Sequence, residues 1–158
     1  MTDHAEFEAL VRAHQGAVRA FLRRLTGEHA RADELAQDTI LKAFRVRATL
    51  GTVENTRAWL YRIAYRRYLD ERRKTTRRDA LASEPPPDRV AARGSLSLDI
   101  ARAMDALPPE RRSCALLHLA HGYSHADVAD ITGLPLGTVK SHVRRARSVL
   151  KEVLHDYG

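Results

Sequence analysis

The chain has 158 residues, 44% of them hydrophobic, and carries 27 Lys and Arg against 20 Asp and Glu, a formal net charge of +7. That suffices for one ordinary core or two small ones, and no apolar run approaches the length of a membrane span. A single cysteine, Cys114, excludes an internal disulfide, and the opening "MTDHAEFEAL" lacks the charged-then-apolar order of a signal peptide, so a cytoplasmic location is expected.

Phe7, Leu10, Val11, His14, Val18, Phe21, Leu22 and Leu25 follow helical spacing and predict a long first helix, stopped at Thr26-Gly27. A second helix carries Leu35, Ala36, Ile40, Ala43 and Phe44, with Asp33, Glu34 and Asp38 within two turns of one another. Residues 1–41 are slightly acidic, with seven acids against five bases. The stretch "RVRATLGTVENT" has no sustained period and reads as a loop, closed by Asn55 or Thr56 as the N-cap of a third helix from about Arg57.

That third helix runs into a basic tract. From Arg57 to Arg78 there are nine basic residues against Asp70 and Glu71, which accounts for the whole net charge. Leu60, Ile63 and Ala64 supply its apolar side, Arg62, Arg66 and Arg73 share another, and Trp59 and Tyr61 add aromatic surface beside the loop. Arginines interleaved with aromatics suit phosphates and unstacked bases. One chain thus presents surfaces of opposite sign, as expected if it meets both a polyanion and a basic protein surface.

"ALASEPPPDRVAARGS" follows, whose three consecutive prolines favour extended, solvated backbone and predict a flexible linker. Beyond it, Leu98, Ile100, Ala101, Met104 and Leu107 predict a helix, and Pro108-Pro109 open another through Leu119. Cys114, in the run "CALLHLA", reads as a buried structural thiol. Cys114, His118 and His121 also fall at steps of four and three, with His125 soon after, so a zinc or redox site is the competing reading for these four. Paired-cysteine spacing is absent, which weighs against it.

Ser124, followed three residues later by Asp127, marks the start of a short helix containing Val128, Ala129 and Ile131. Thr132-Gly133-Leu134 breaks it, and Pro135 suits the start of a last helix. Val139, Val143, Ala146 and Leu150 form that helix's apolar stripe, while Lys140, Arg144, Arg147 and Lys151 repeat the same steps one residue later, and Ser141, Arg145 and Ser148 lie opposite the valines. Two helices joined by a short Gly-containing turn, the second with an acid-free basic face, define a helix-turn-helix that places its second helix in a DNA major groove. Thr138, Ser141, His142 and Arg145 are then the candidates for base edges, and Lys140, Arg144 and Arg147 for phosphate. The expected fold is all-α: two small helical domains, 1–78 and 96–158, joined by a Pro-rich linker over 79–95.

"ADELAQDTILKAF", "TRAWLYRIAYRRYLDERR" and "MDALPPERRSCALLHLAHGYSHADVADITGLPLGTVKSHVRRARSVL" in this order resemble the sigma-70 family of bacterial RNA polymerase, specifically its extracytoplasmic-function group, over nearly the whole chain. The resemblance implies that Asp33, Glu34, Gln37, Asp38 and Leu41 dock on the clamp of the largest subunit of core polymerase. It implies that Asn55, Trp59, Tyr61, Arg62, Arg66 and Arg73 recognise and melt the minus-10 element, and that the helix-turn-helix reads the minus-35 element of promoter DNA. It also leaves a place for an anti-sigma factor as partner. No cofactor is expected, nor any enzymatic activity, since the chain has no Gly-rich phosphate loop, nucleophile elbow or paired-carboxylate site. The alternative is a helix-turn-helix regulator acting without polymerase.

Overall fold

A computed structural model describes residues 2–79 and 95–157, and among these all regular structure is helical. Helix α1 (Thr2–Thr26) ends where Gly27 takes φ +74°. Helix α2 (His29–Arg45) packs back against it, and α3 (Thr56–Asp79) lies across both. Phe21, Leu22, Leu25, Ala32, Leu35, Ala36, Leu60 and Ala64 fill the space between them. Small alanines at Ala32, Ala36 and Ala64 let the helix axes approach while the leucines and Phe21 interlock.

The segment between α2 and α3 is more ordered than its lack of period predicts. Arg47–Thr52 forms a short 3₁₀ helix. Two threonines bond back along it, Thr49 Oγ1 to the Val46 carbonyl at 2.8 Å and Thr52 Oγ1 to that of Thr49 at 2.7 Å, while Leu50 is buried. One anchoring side chain and local hydroxyl bonds do here what periodicity does in a longer helix. Asn55 caps α3 as expected, its Oδ1 accepting from the Ala58 N–H at 3.0 Å.

The second group of helices begins with α4 (Leu96–Ala106), capped by Ser95, followed by α5 (Pro109–Ala115). The chain then passes through one π turn (Leu116–Ala120) before α6 (His125–Thr132) and α7 (Leu136–His155). Ser124 Oγ accepts from the Asp127 N–H at 3.1 Å, and Gly133 takes φ +77° at the end of α6. A side chain with a Cβ there would be strained by about 1–2 kcal/mol. Pro135 stands one residue ahead of α7, as its N-cap. Val139, Val143 and Ala146 of α7 are buried as the stripe requires.

The two groups do not have separate cores. The buried residues of α1 and α3 continue without a break into those of α5, α6 and α7, because α6 packs on α3 and α5 touches α1. Arg112 joins three helices: its guanidinium donates to the Met104, Asp105 and Leu107 carbonyls at the end of α4 and to the Leu25 carbonyl at the end of α1, at 2.5–3.3 Å. Carbonyls at helix C-termini lack partners within their own helices and carry the negative end of the dipole, so one cation serves both ends. The expected linker falls, apart from its two end residues, outside the described residues.

Candidate nucleic-acid interface

On α7 the arrangement matches the helical wheel. Thr138, Lys140, Arg144, Arg145 and Arg147 are exposed, and Ser141 is half-buried. A groove of about 540 Å³ runs beside Lys140, Ser141, Arg144, Arg147, Ser148 and Lys151, with His125 from the start of α6 on its far wall. Spacing along α7 alone could not bring in His125, since the turn at Gly133 places it there. His142 behaves differently from its neighbours. Its side chain is 16% exposed and turns toward Glu110 on α5, Nε2 to Oε2 3.9 Å, at the margin of the outward face.

On α3, Trp59, Arg62 and Arg66 line a second groove of about 500 Å³ together with Lys42, Val46, Ile63, Arg67 and Asp70. Lys42 and Arg67 were not among the predicted residues. Arg67 follows Arg66 in the basic tract and was legible there, whereas Lys42 arrives from the end of α2 only through packing. Trp59 is half-buried against the core with one side on the groove. Asn55 is exposed but its side chain is engaged in capping. Arg73 lines a neighbouring cleft with Arg62 and Arg66. Tyr61 departs from its expected position: it is 1% exposed, packed among Phe21, His121 and Tyr123, and touches no open surface. Burial raises its hydroxyl pKa to about 12, against the opposing pull of Arg57.

The acidic side of α2 is sharper than the sequence reading. Glu34, Gln37, Asp38 and Leu41 recur at steps of three, one and three and are all exposed, forming a stripe with Leu41, 57% exposed, at one end. Asp33 stands beside it and is paired within the chain, 3.5 Å from Arg19 Nε and 3.3 Å from Arg23 Nη2.

The metal reading finds no support in the geometry. Cys114 is fully buried and its thiol is pushed up to about 12 by burial, with Glu110 adding to the effect. His118 stacks on His125 at 4.2 Å and its Nδ1 bonds the Tyr123 carbonyl, while His121 faces Tyr61. Among the described residues no group of three side chains could hold a metal ion, nor is any helix long and apolar enough to cross a membrane.

Burial, reinforced by the charge of Arg57, lowers the pKa of His121 and of His14. His142 is lowered by burial first and then by Arg111 and Arg145, against Glu110. The unfolded chain therefore takes up protons at higher pH than the folded one, so the stability tied to these groups is full above about pH 6.5 and is lost as pH falls toward the depressed folded values. Thermal unfolding should show Tm falling between about pH 7 and pH 5.5. The fall should be shallower in His121→Gln, and an equal slope in that variant would remove His121 from the account.

The two halves of the chain match two family patterns: Sigma-70 region 2 over residues 10–78 and Sigma-70, region 4 over residues 97–150. The extracytoplasmic-function (ECF) RNA polymerase sigma factor SigL of Mycobacterium tuberculosis is 32% identical, with 98% of this chain and 92% of that protein aligned. The ECF sigma factor SigE of Mycolicibacterium smegmatis is 33% identical over 96% of this chain, which spans 63% of that longer relative. Among solved structures, the sigma factor RpoE of Bartonella quintana, in complex with the anti-sigma factor NepR, superposes with a TM-score of 0.80 at 33% identity, covering 95% of this chain and 97% of that one. The chain belongs to the extracytoplasmic-function group of the sigma-70 family, whose members are non-enzymatic subunits that direct RNA polymerase to promoters.

Proposed function

We propose that this chain, acting in the cytoplasm, docks on the clamp of core RNA polymerase through the Glu34–Leu41 stripe. In this reading residues 1–78 engage the minus-10 element and residues 96–158 the minus-35 element, the two joined through 79–95. Trp59, Arg62 and Arg66 border the groove that takes the opened minus-10 strand, Arg73 holds phosphate beyond it, and Asn55 sets the start of α3. On α7, Thr138, Ser141 and Arg145 approach base edges, with His142 at their margin, and Lys140, Arg144 and Arg147 grip phosphate.

The observation that carries the reading is the separation of charge within one fold. An acid-bearing stripe ending in an exposed leucine lies on α2, while cations line grooves on α3 and α7. A helix-turn-helix regulator acting without polymerase has no use for the α2 stripe. The anti-sigma complex of the Bartonella relative supports a similar partner here.

The test is reconstitution. Core polymerase supplemented with the chain should yield transcripts starting at discrete sites on genomic fragments selected by the mixture. Core enzyme alone, or the chain alone on the same fragments, should not. Duplex binding of equal selectivity without polymerase would overturn the proposal in favour of an independent regulator.

A further inference from the structure

Two histidines that the proposed function leaves unused stand at the wall of the α7 groove. His118 belongs to the π turn and His125 is the first residue of α6, and their rings stack with centroids 4.2 Å apart and planes 18° from parallel. His118 Nδ1 lies 2.7 Å from the Tyr123 carbonyl. A carbonyl oxygen only accepts, so this nitrogen donates, and the bond fixes the ring on which His125 rests. Both histidines are half-buried.

The charge around His125 is of one sign. It lines the groove of about 540 Å³ with Lys140, Arg144, Arg147 and Lys151 of α7, all four exposed, and among the described residues that lining holds no carboxylate. Asp127, two residues along α6, bears on Tyr123 instead, and His121, at the end of the π turn, is turned onto Tyr61. Partial burial first, then His118, Lys140 and Arg147, lower the pKa of His125. In the free chain it is therefore neutral near pH 7.

An anion is what this groove lacks. In a helix-turn-helix the first helix crosses the DNA backbone, and here His125 opens that helix beside the cations Lys140, Arg144 and Arg147 that grip phosphate in the reading above. A backbone phosphate entering the groove brings a full negative charge to the His125 ring. It favours the protonated form and gains a charged donor in return. Stacked imidazolium rings repel one another, so the two histidines accept one proton before a second.

We propose that the stacked His118 and His125 form a proton-coupled phosphate contact: when α7 binds duplex DNA, His125 takes a proton from solvent and donates to a backbone phosphate, while His118 holds its ring in place. The contact rests on the assignment of α7 to the minus-35 duplex made above. The bound state then carries more protons than the free chain, so affinity rises as pH falls from above the His125 value in the complex toward its lowered value in the free chain. Lysine and arginine contacts keep their charge over this interval and add no such dependence.

The test follows binding of the full chain to a selected minus-35 duplex by anisotropy at fixed salt. The native chain should bind about fourfold more tightly at about pH 6.5 than at about pH 8, with proton uptake recorded by calorimetry in buffers of different ionisation enthalpy. His125→Gln should lose most of that gain, whereas His155→Gln, which removes an exposed histidine at the end of α7, should keep it. His125→Lys is charged at both pH values and should bind equally at both, near the tighter native level. Position 125 is half-buried at the surface, so these polar replacements hollow no core. His118→Ala, which removes the stacked ring, should cut the gain to about twofold or less. An undiminished gain in His125→Gln or in His118→Ala, or no pH dependence in the native chain, would overturn the proton-coupled contact. Failure of the native chain to prefer the selected duplex over a scrambled one at either pH would instead overturn the assignment of α7, and the contact with it.

Discussion

Leu41→Arg combined with Asp38→Lys should reduce promoter-specific transcription by the reconstituted enzyme more than a hundredfold and remove the chain from complexes with core polymerase. The expectation rests on the shape of α2. Glu34, Gln37, Asp38 and Leu41 share one exposed stripe, and Leu41 leaves 57% of its surface in solvent although the same helix buries five other residues. An apolar side chain flanked by carboxylates is the pattern of a contact centre with a polar rim. Truncating one such centre commonly costs about 2 kcal/mol or more, roughly thirtyfold, and a like charge facing a basic partner adds to it. Asp33 serves as the internal comparison. Its carboxylate is held by Arg19 and Arg23, partly exposed pairs whose contribution to stability is about 0–1 kcal/mol. Asp33→Asn should therefore weaken docking far less than the Asp38 and Leu41 pair. Co-sedimentation with core enzyme measures both, and an undiminished complex in the double variant would remove α2 from the docking surface.

The second large effect belongs to α7. Arg145→Ala should cost about 1–3 kcal/mol of discrimination between a selected minus-35 duplex and a scrambled one, because a cation at the centre of the outward face can reach base edges. Lys140→Ala and Arg147→Ala should weaken both duplexes alike and lower the salt dependence of binding by about one counterion each. Anisotropy titrations of the full chain at several salt concentrations separate these outcomes. His142→Ala should change discrimination less than Arg145→Ala, since its ring is 16% exposed and drawn toward Glu110. Equal losses at Arg145 and Lys140 on both duplexes would mean that α7 grips phosphate only.

Most of the helical framework was legible along the chain because its signals are local. Ser124 with Asp127, Gly133 after Thr132, and the valine stripe of α7 act within one or two turns, where backbone geometry and side-chain spacing are coupled. The 3₁₀ helix at Arg47–Thr52 was not legible, since hydroxyl bonds and one anchoring leucine leave no period. Asp33 and Asp38 look equivalent in sequence, and only the approach of α1 makes one a paired carboxylate and the other a free-standing one. Tyr61 looks like part of an aromatic reading surface until α6 and the π turn close over it.

Composition, order of motifs and helical spacing by themselves determined an all-α chain with a basic helix-turn-helix at one end, a basic third helix and an acidic second one. Those features depend on neighbours within a few residues, whose contacts are the same in any arrangement of the helices. Which charges remain available, and that the two halves share one core, was decided only in three dimensions. Pairs such as Tyr61 with Tyr123 or Arg112 with Leu25 join segments far apart in the chain, and spacing along the sequence carries no information about them.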